Sequence, residues 1–218
     1  LGEGYFWGLQ GSYDLIESDR HILKGALGYA YQVIEDTLVL GDDLDTPRKV
    51  TIAPISVVLS YSSVRPDRMG GRNFLTSQTS FNFGGMLGSS DDDEITLQRQ
   101  TAEADYWVER LQYARIQPLS FSEQDPEKQA RQWILFGKLD GQLASGPLIP
   151  AEAKAVGGLD NVRGYREREV LGDHGISGTL EVRSPIWVSS VLSGMRKSTD
   201  TAGGSERLQL VGFVDGAV

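Results

Sequence analysis

The sequence predicts an all-β protein, an antiparallel transmembrane β-barrel of which this chain supplies about eight strands. Apolar and polar residues alternate with a period of two through most of the 218 residues, the pattern of strands whose two faces meet different surroundings. The polar positions are mainly Gln, Ser, Thr, Asn and Gly, which suits a hydrated lumen. Long and short connectors alternate along the chain. Together these observations favour an outer-membrane barrel over a soluble fold.

Eight segments carry the alternation, and each has the length that crosses a bilayer at a tilt. They cover residues 5–14, 22–33, 50–62, 73–87, 106–121, 129–143, 175–187 and 207–218. In the seventh segment Glu181 falls on the polar face, and in the eighth Asp215 does the same. The fifth segment breaks phase near residues 110–112, which predicts a β-bulge. No convincing amphipathic helix is found; the best candidate, residues 101–111, fits the start of a strand better.

Aromatic residues concentrate toward the strand ends. They are Tyr5, Trp7, Tyr13, Tyr29, Tyr31, Tyr61, Trp107, Tyr113, Trp133 and Trp187. Such positions are typical of the interfacial girdles of membrane barrels. The alternative, that these rings form the core of a soluble β-barrel, stays open on the residues alone.

The connectors differ on the two sides of the predicted sheet. Those on one side are long and acidic or Gly-rich: residues 35–49, 88–105 and 144–174. Those on the other side are short turns, residues 15–21, 63–72 and 122–128, with residues 189–205 as a long exception. Long external loops and short periplasmic turns are typical of outer-membrane barrels.

Composition excludes several classes of function. The formal charge of −9 disfavours a nucleic-acid partner, and the absence of Cys excludes disulfides and thiolate metal sites. Two histidines are too few for a metal centre, and the acidic run 91–94 lacks the spacing of a calcium loop. We therefore predict no metal, no cofactor and no catalytic residue. No apolar run reaches the length of a transmembrane helix. Both ends look truncated, so we expect a fragment of a longer barrel.

One loop stands apart from the strand pattern. Residues 157–167 contain three glycines, two arginines, two acids and one aromatic residue. Four stretches, residues 136–145, 157–165, 175–185 and 210–215, resemble in order and spacing the motifs of the outer-membrane two-partner secretion translocators of the haemolysin-activator type. That family belongs to a larger superfamily of barrel assembly and translocation proteins. Residues 1–135 resemble the family only in the alternation and spacing of their predicted strands.

The resemblance implies an architecture and a set of site residues. The family has a sixteen-stranded barrel preceded by periplasmic POTRA domains, so residues 1–218 would be a partial barrel domain without them. Residues 144–174 would be the signature loop, folded back into the lumen. The site residues implied are the loop anchor Val162, Arg163, Gly164 and Tyr165, the wall partners Asp215 and Glu181, and the loop glycines Gly157 and Gly158.

Each of these residues has an expected role. The guanidinium of Arg163 would pair with both carboxylates, since its planar fork can donate to two acceptors. The glycines would permit a tight loop tip, and Tyr165 would pack the tip against the wall. The sequence departs from the family at Gly216, which comes one position early after Asp215, so a local bulge is in doubt.

The function implied is secretion of one large, unfolded partner polypeptide across the outer membrane of a Gram-negative bacterium. The partners expected are that polypeptide and outer-membrane lipid, and the oligomeric state is left open with a monomer as the expectation. One alternative is an outer-membrane assembly insertase of the same superfamily. Another is a small structural or adhesin-like barrel, which predicts a closed ring of eight strands and a free loop at residues 144–174. No Ser-His-acid set supports an enzyme.

Overall fold

The computed structural model describes residues 2–39, 45–119, 132–188 and 207–218. The strands in chain order are β1 (Gly2–Glu17), β2 (His21–Val39), β3 (Asp45–Ile52), β4 (Ile55–Ser63), β5 (Arg72–Asn82), β6 (Tyr106–Pro118), β7 (Ile134–Ala144), β8 (Lys154–Val156), β9 (Val170–Gly172), β10 (Gly175–Arg183), β11 (Trp187–Val188), β12 (Arg207–Leu208) and β13 (Val211–Ala217). One helical turn, α1 (Asp92–Ile95), lies between β5 and β6. Within these ranges no helix is both long and apolar enough to span a bilayer.

One antiparallel sheet contains most of the strands. Its order is β1-β2-β4-β5-β6-β7-β10-β13, and β3 pairs with the C-terminal part of β2, residues 32–39. The strands of this sheet therefore follow one another in chain order. Two short pairs, β8 with β9 and β11 with β12, form separate two-stranded sheets. Among the described strands no ladder joins β1 to β13, so the closed eight-strand ring of the adhesin-like alternative is not formed. The predicted all-β, antiparallel class is confirmed.

The third predicted segment, residues 50–62, is interrupted. It is split into β3 and β4 at Pro54, which has no N–H to give to a ladder. The carbonyl of Pro54 still accepts from the N–H of Ala30 at 3.0 Å, so the chain stays against β2. The predicted loop at residues 35–49 was wrong: β2 runs on to Val39 and β3 begins at Asp45, because β3 pairs with the part of β2 that follows its ladder with β4.

The predicted bulge at residues 110–112 was also wrong, since β6 pairs with both β5 and β7 without a register shift. The alternation of apolar and polar residues is irregular here because Tyr106 and Val108 face inward and are nevertheless apolar. Leu148 of a loop packs over them. The register shift that does occur is in β1, between Asp14 and Ile16. Residues 120–131 and 189–206, which hold the expectations for connectors 122–128 and 189–205, lie outside the described residues.

The two faces of the sheet differ as the alternation predicts. Large apolar side chains on the outer face stay exposed, including Leu9 at 75%, Leu27 at 61% and Val214 at 73%. A soluble protein rarely exposes so extended an apolar surface, whereas a membrane barrel turns it to lipid. Near one edge, Trp7 stacks on Tyr31 with ring centroids 5.6 Å apart, as expected for a girdle.

In the described part of the chain, the buried apolar clusters lie where loops cover the inner face. In one, Ile95 of α1 packs with Val50 and Ile52 of β3 and with Ile149. Loop residues from two long connectors thus share a core with the end of the sheet. This packing fixes the base of the loop at residues 144–174, which carries the candidate site.

Candidate functional site

The loop between β7 and β10 is shaped by a small hairpin. β8 pairs with β9 from Lys154–Gly172 to Val156–Val170, and residues 157–169 form its tip. Gly157 and Gly158 have positive φ angles of 110° and 99°, which L side chains rarely adopt. A Cβ at Gly157 would collide with the carbonyl oxygen of Arg166, and one at Gly158 with the Glu167 carboxylate. Both glycines are therefore required for the two arms to close.

Asn161 ties the tip together. Its Oδ1 accepts from the N–H groups of Gly157 and Val162, each at 2.7 Å, and its Nδ2 donates to the carbonyl of Ala155 at 3.1 Å. Sequence reasoning did not assign Asn161 a role, although an Asn in a Gly-rich turn is a signal for this kind of side chain to backbone bond. The tip conformation that aims Arg163 depends on it.

Arg163 reaches the inner face of the sheet and meets both carboxylates. Its Nε and Nη2 donate to the two oxygens of Asp215, each at 2.8 Å, and its Nη1 donates to Oε1 of Glu181 at 2.7 Å. Its backbone N–H donates to Asp215 as well, at 3.1 Å. This is a bidentate pair with a second carboxylate on the remaining arm of the fork, the strongest geometry that a guanidinium offers.

Strand register brings the two acids together. In the β10–β13 ladder Glu181 is opposite Phe213 and Thr179 is opposite Asp215, so the acids are diagonal neighbours on one face. The Phe213 ring lies beneath the guanidinium, 3.5 Å from its centroid to Cζ of Arg163. The side chains of Asp215 and Glu181 are only 3% and 10% exposed, so water screens the contact weakly.

A second arginine shares the cluster, and sequence reasoning missed it. Arg183 donates from Nη2 and Nε to Oε2 of Glu181, at 2.6 and 2.8 Å, and its guanidinium lies 4.9 Å from the Phe136 ring centroid. Glu181 therefore bridges two cations with its two oxygens. Two arginines face two carboxylates, which leaves the cluster neutral and removes the cost of an uncompensated charge.

The other anticipated residues are placed as follows. Val162 is buried at 8% exposure. Gly164 has a φ of 95° and open space around it, so glycine is favoured there by the backbone conformation and not by a lack of room. Tyr165 was expected to pack against the wall, but it is 63% exposed; the turn that follows Gly164 carries its ring away from the sheet. No register shift accompanies Gly216 in the β10–β13 ladder, so its early position causes no bulge there.

Further ion pairs hold the loop nearer its base. Arg110 on β6 donates to the Glu152 carboxylate at 2.7 Å and to Gln142 at 3.0 Å, and Lys154 pairs with Asp140 on β7. Arg110 and Glu152 are 42 residues apart, so no local sequence pattern predicts their contact. The loop is thus fixed to β6, β7, β10 and β13 along its length.

At the base of the loop, Asp173 links it to the connector between β5 and β6. It accepts from Nη1 and Nη2 of Arg99 at 2.6 and 3.0 Å, and from the N–H of Leu148 at 2.9 Å. The hydrogen bonds from Arg99 hold the pKa of the Asp173 carboxyl below its ordinary value, and those from Leu148 act in the same direction. The adjacent His174 accepts from the N–H of Ala144 through Nδ1 at 3.1 Å.

The arrangement can fasten a loop, and its contacts are those of a structural anchor. Among the described residues no group of three or more His, Asp or Glu side chains could hold a metal ion. In the acidic run, Asp91 caps α1 by accepting from the N–H of Glu94, and Asp92 accepts from the N–H of Ala104 at 2.7 Å. These carboxylates serve the local fold of the loop.

Comparison with known proteins gives a family match and a structural match. The family model for the haemolysin secretion/activation protein ShlB/FhaC/HecB matches residues 61–200. The solved structure of CdiB from Escherichia coli is similar with a TM-score of 0.65 at 15% sequence identity, over 99% of this chain and 39% of that one. No curated sequence matches significantly. The structural likeness shows that the sheet has the fold of a part of such a barrel, and the chain spans well under half of the length of CdiB.

Proposed function

The chain belongs to the ShlB/FhaC/HecB family of haemolysin secretion/activation proteins, and on that premise we propose that the complete protein secretes a large partner polypeptide by two-partner secretion. Members of the family are transporters of the Gram-negative outer membrane, and this membrane is the location of the protein. The partner would pass through the lumen in an unfolded state. Transport of this kind needs no bond chemistry, so the protein would not be an enzyme.

The observation that carries the proposal is the bonding of Arg163 to Asp215 and Glu181. A loop that merely covered the barrel would have no need of a weakly screened, fully hydrogen-bonded charge cluster on the inner wall. The four bonds of Arg163 hold the tip against β10 and β13. Residues 144–174 would then be a lumenal element that shapes the path of the partner, with Arg163 as its anchor.

The character of the inner wall supports the same proposal. Ser56, Ser60 and Ser62 on β4 face Ser80, Thr76 and Phe74 on β5 in the ladder, so this part of the inner face is mostly small and hydroxylated. An unfolded chain can exchange hydrogen bonds with such groups without meeting a large apolar patch that would retain it. Large exposed apolar side chains such as Leu9, Leu27 and Leu59 are on the other face, where lipid would lie.

Secretion of the partner tests the proposal. The complete protein and its partner would be expressed in an outer-membrane host, and the partner in the medium would be quantified with and without the transporter. We expect export only when the transporter is present, with other outer-membrane proteins assembled at normal levels. Loss of other barrels together with the partner would instead favour the insertase, and equal export without the transporter would overturn the proposal.

A further inference from the structure

The outer face of β6, β7, β10 and β13 carries an apolar groove of about 670 Å³. Its lining includes Leu135, Leu139, Leu180 and Val214, whose side chains point away from the inner wall. This volume is in the range of sites that hold a small molecule. The groove is on the face turned to lipid, so the ligand that reaches it comes from the bilayer.

Glycines form the floor of the groove. Gly137, Gly178 and Gly216 all line it, and register places Gly178 opposite both Leu139 and Gly216. A Cβ at Gly216 would meet nothing within 4 Å, and one at Gly137 would come no nearer than 4.0 Å to Leu180. Because these glycines have no side chains, a channel remains between Leu135, Leu139 and Leu180 in which an acyl chain fits.

One end of the groove is polar although it is on the same outer face. Tyr113, Arg115, Gln117 and Met69 line it there. Nη1 of Arg115 lies 2.7 Å from both the Asn73 amide oxygen and Asp67, and Gln117 donates to the Met69 carbonyl at 2.6 Å. Tyr113 donates to Asn73 at 2.8 Å. These groups are at the short-turn end of β5 and β6, the depth at which headgroups meet a barrel.

An apolar groove that ends in a fixed polar network is the complement of an amphiphile, and we propose that it holds one anionic phospholipid of the periplasmic leaflet. The acyl chain lies over the glycine floor, and the phosphate lies at the rim beside Arg115, near the exposed Arg68 that precedes the lining residue Met69. This inference rests on the outer-membrane location and is independent of the proposed secretion.

The headgroup decides the selectivity. An acyl chain gains little by leaving lipid for an apolar groove, because both surroundings are apolar. The turn at residues 63–72 holds three arginines and one aspartate. Arg65 pairs with Asp19 and Asp67 pairs with Arg115, and Arg68 is exposed. This positive excess favours an anionic phosphodiester over a zwitterionic one, by about fivefold for each arginine near the surface.

The test is retention of lipid by the complete protein in nanodiscs made of equal phosphatidylglycerol and phosphatidylethanolamine. After transfer to detergent, native mass spectrometry would count the lipids that stay bound. We expect about one retained phosphatidylglycerol, reduced at least fivefold by Gly137→Leu, which places a bulky side chain on the floor of the groove. Gly11→Leu is the matched control, because Gly11 is on the outer face of β1 and its Cβ would meet nothing within 4 Å.

A second variant examines the headgroup without touching the groove. Arg68→Gln should reduce the preference for phosphatidylglycerol about fivefold and leave the total lipid count less affected. Wild-type retention by Gly137→Leu, equal loss in Gly11→Leu, or equal retention of the two phospholipids would each overturn the proposal. Partner secretion measured on the same variants reports on the transport function separately.

Discussion

Reversing the charge of Arg163 should release the loop from the wall. Arg163→Glu removes the three hydrogen bonds of the guanidinium and places a third carboxylate beside Asp215 and Glu181. Breaking one partner of a buried ion pair costs about 3–5 kcal/mol. The Arg163 side chain is 21% exposed, so we take the lower end, about 3 kcal/mol, which shifts the equilibrium between held and released loop about 150-fold.

Two assays on the complete protein would measure this effect. Protease cleavage within residues 144–174 reports loop release, and the partner in the medium reports transport. Arg166→Glu is the matched control, since it makes the same charge change in the same loop at an exposed side chain. We expect faster cleavage and reduced secretion for Arg163→Glu and near wild-type behaviour for the control.

A compensating change separates the ion pair from other effects of the substitution. Combining Arg163→Glu with Asp215→Arg restores opposite charges across the same contact, so part of the protection and secretion should return. Recovery would be partial, because the fork geometry and the bond to Glu181 are not recreated. If Arg163→Glu alone leaves cleavage and secretion unchanged, the contact does not anchor the loop and the reasoning is refuted.

Two further predictions concern the base and the tip of the loop. Because hydrogen bonds from Arg99 lower the pKa of Asp173, its contribution is complete above the ordinary value of 3.8 and is lost as pH falls through the lower folded-state value. Asp173→Asn should lose about 1 kcal/mol of loop stability at pH 7 and flatten the acid decline in protease resistance below the ordinary pKa of 3.8; identical pH curves would contradict this. Gly157→Ala should cost about 1–3 kcal/mol in backbone strain and expose the tip to protease. Gly146→Ala, whose Cβ meets only an ordinary contact at 3.7 Å, is its control, and equal cleavage of both variants would contradict the role of Gly157.

The strands could be predicted because their period of two records burial directly in the sequence. Every predicted segment contains a strand, and the errors are at ends and interruptions, where pairing partners rather than composition decide. The extension of β2 to Val39 depends on β3 lying beside it. The inward Tyr106 and Val108 looked out of phase because the loop residue that covers them, Leu148, is distant in sequence.

The site was predictable in part for a similar reason. Arg163, Glu181 and Asp215 stand in motifs that resemble a known family, so their identity was visible in the sequence, and the structure brings the three together. Arg183 was missed because an arginine at the end of a strand is usually solvated. Arg110 and Glu152 were missed because their contact depends on how the loop descends along the wall.

The arginine–carboxylate pairs of the loop become less exposed from its base toward its tip. The side chains of Arg99 and Asp173 are 40% and 19% exposed, those of Arg110 and Glu152 are 32% and 12%, and those of Arg163 and Asp215 are 21% and 3%. Salt and water weaken exposed pairs far more than buried ones. Loosening of the loop should therefore begin at its base and reach Arg163 last. If the loop moves during the proposed transport, this order would keep the tip in register on β10 and β13 while the base yields.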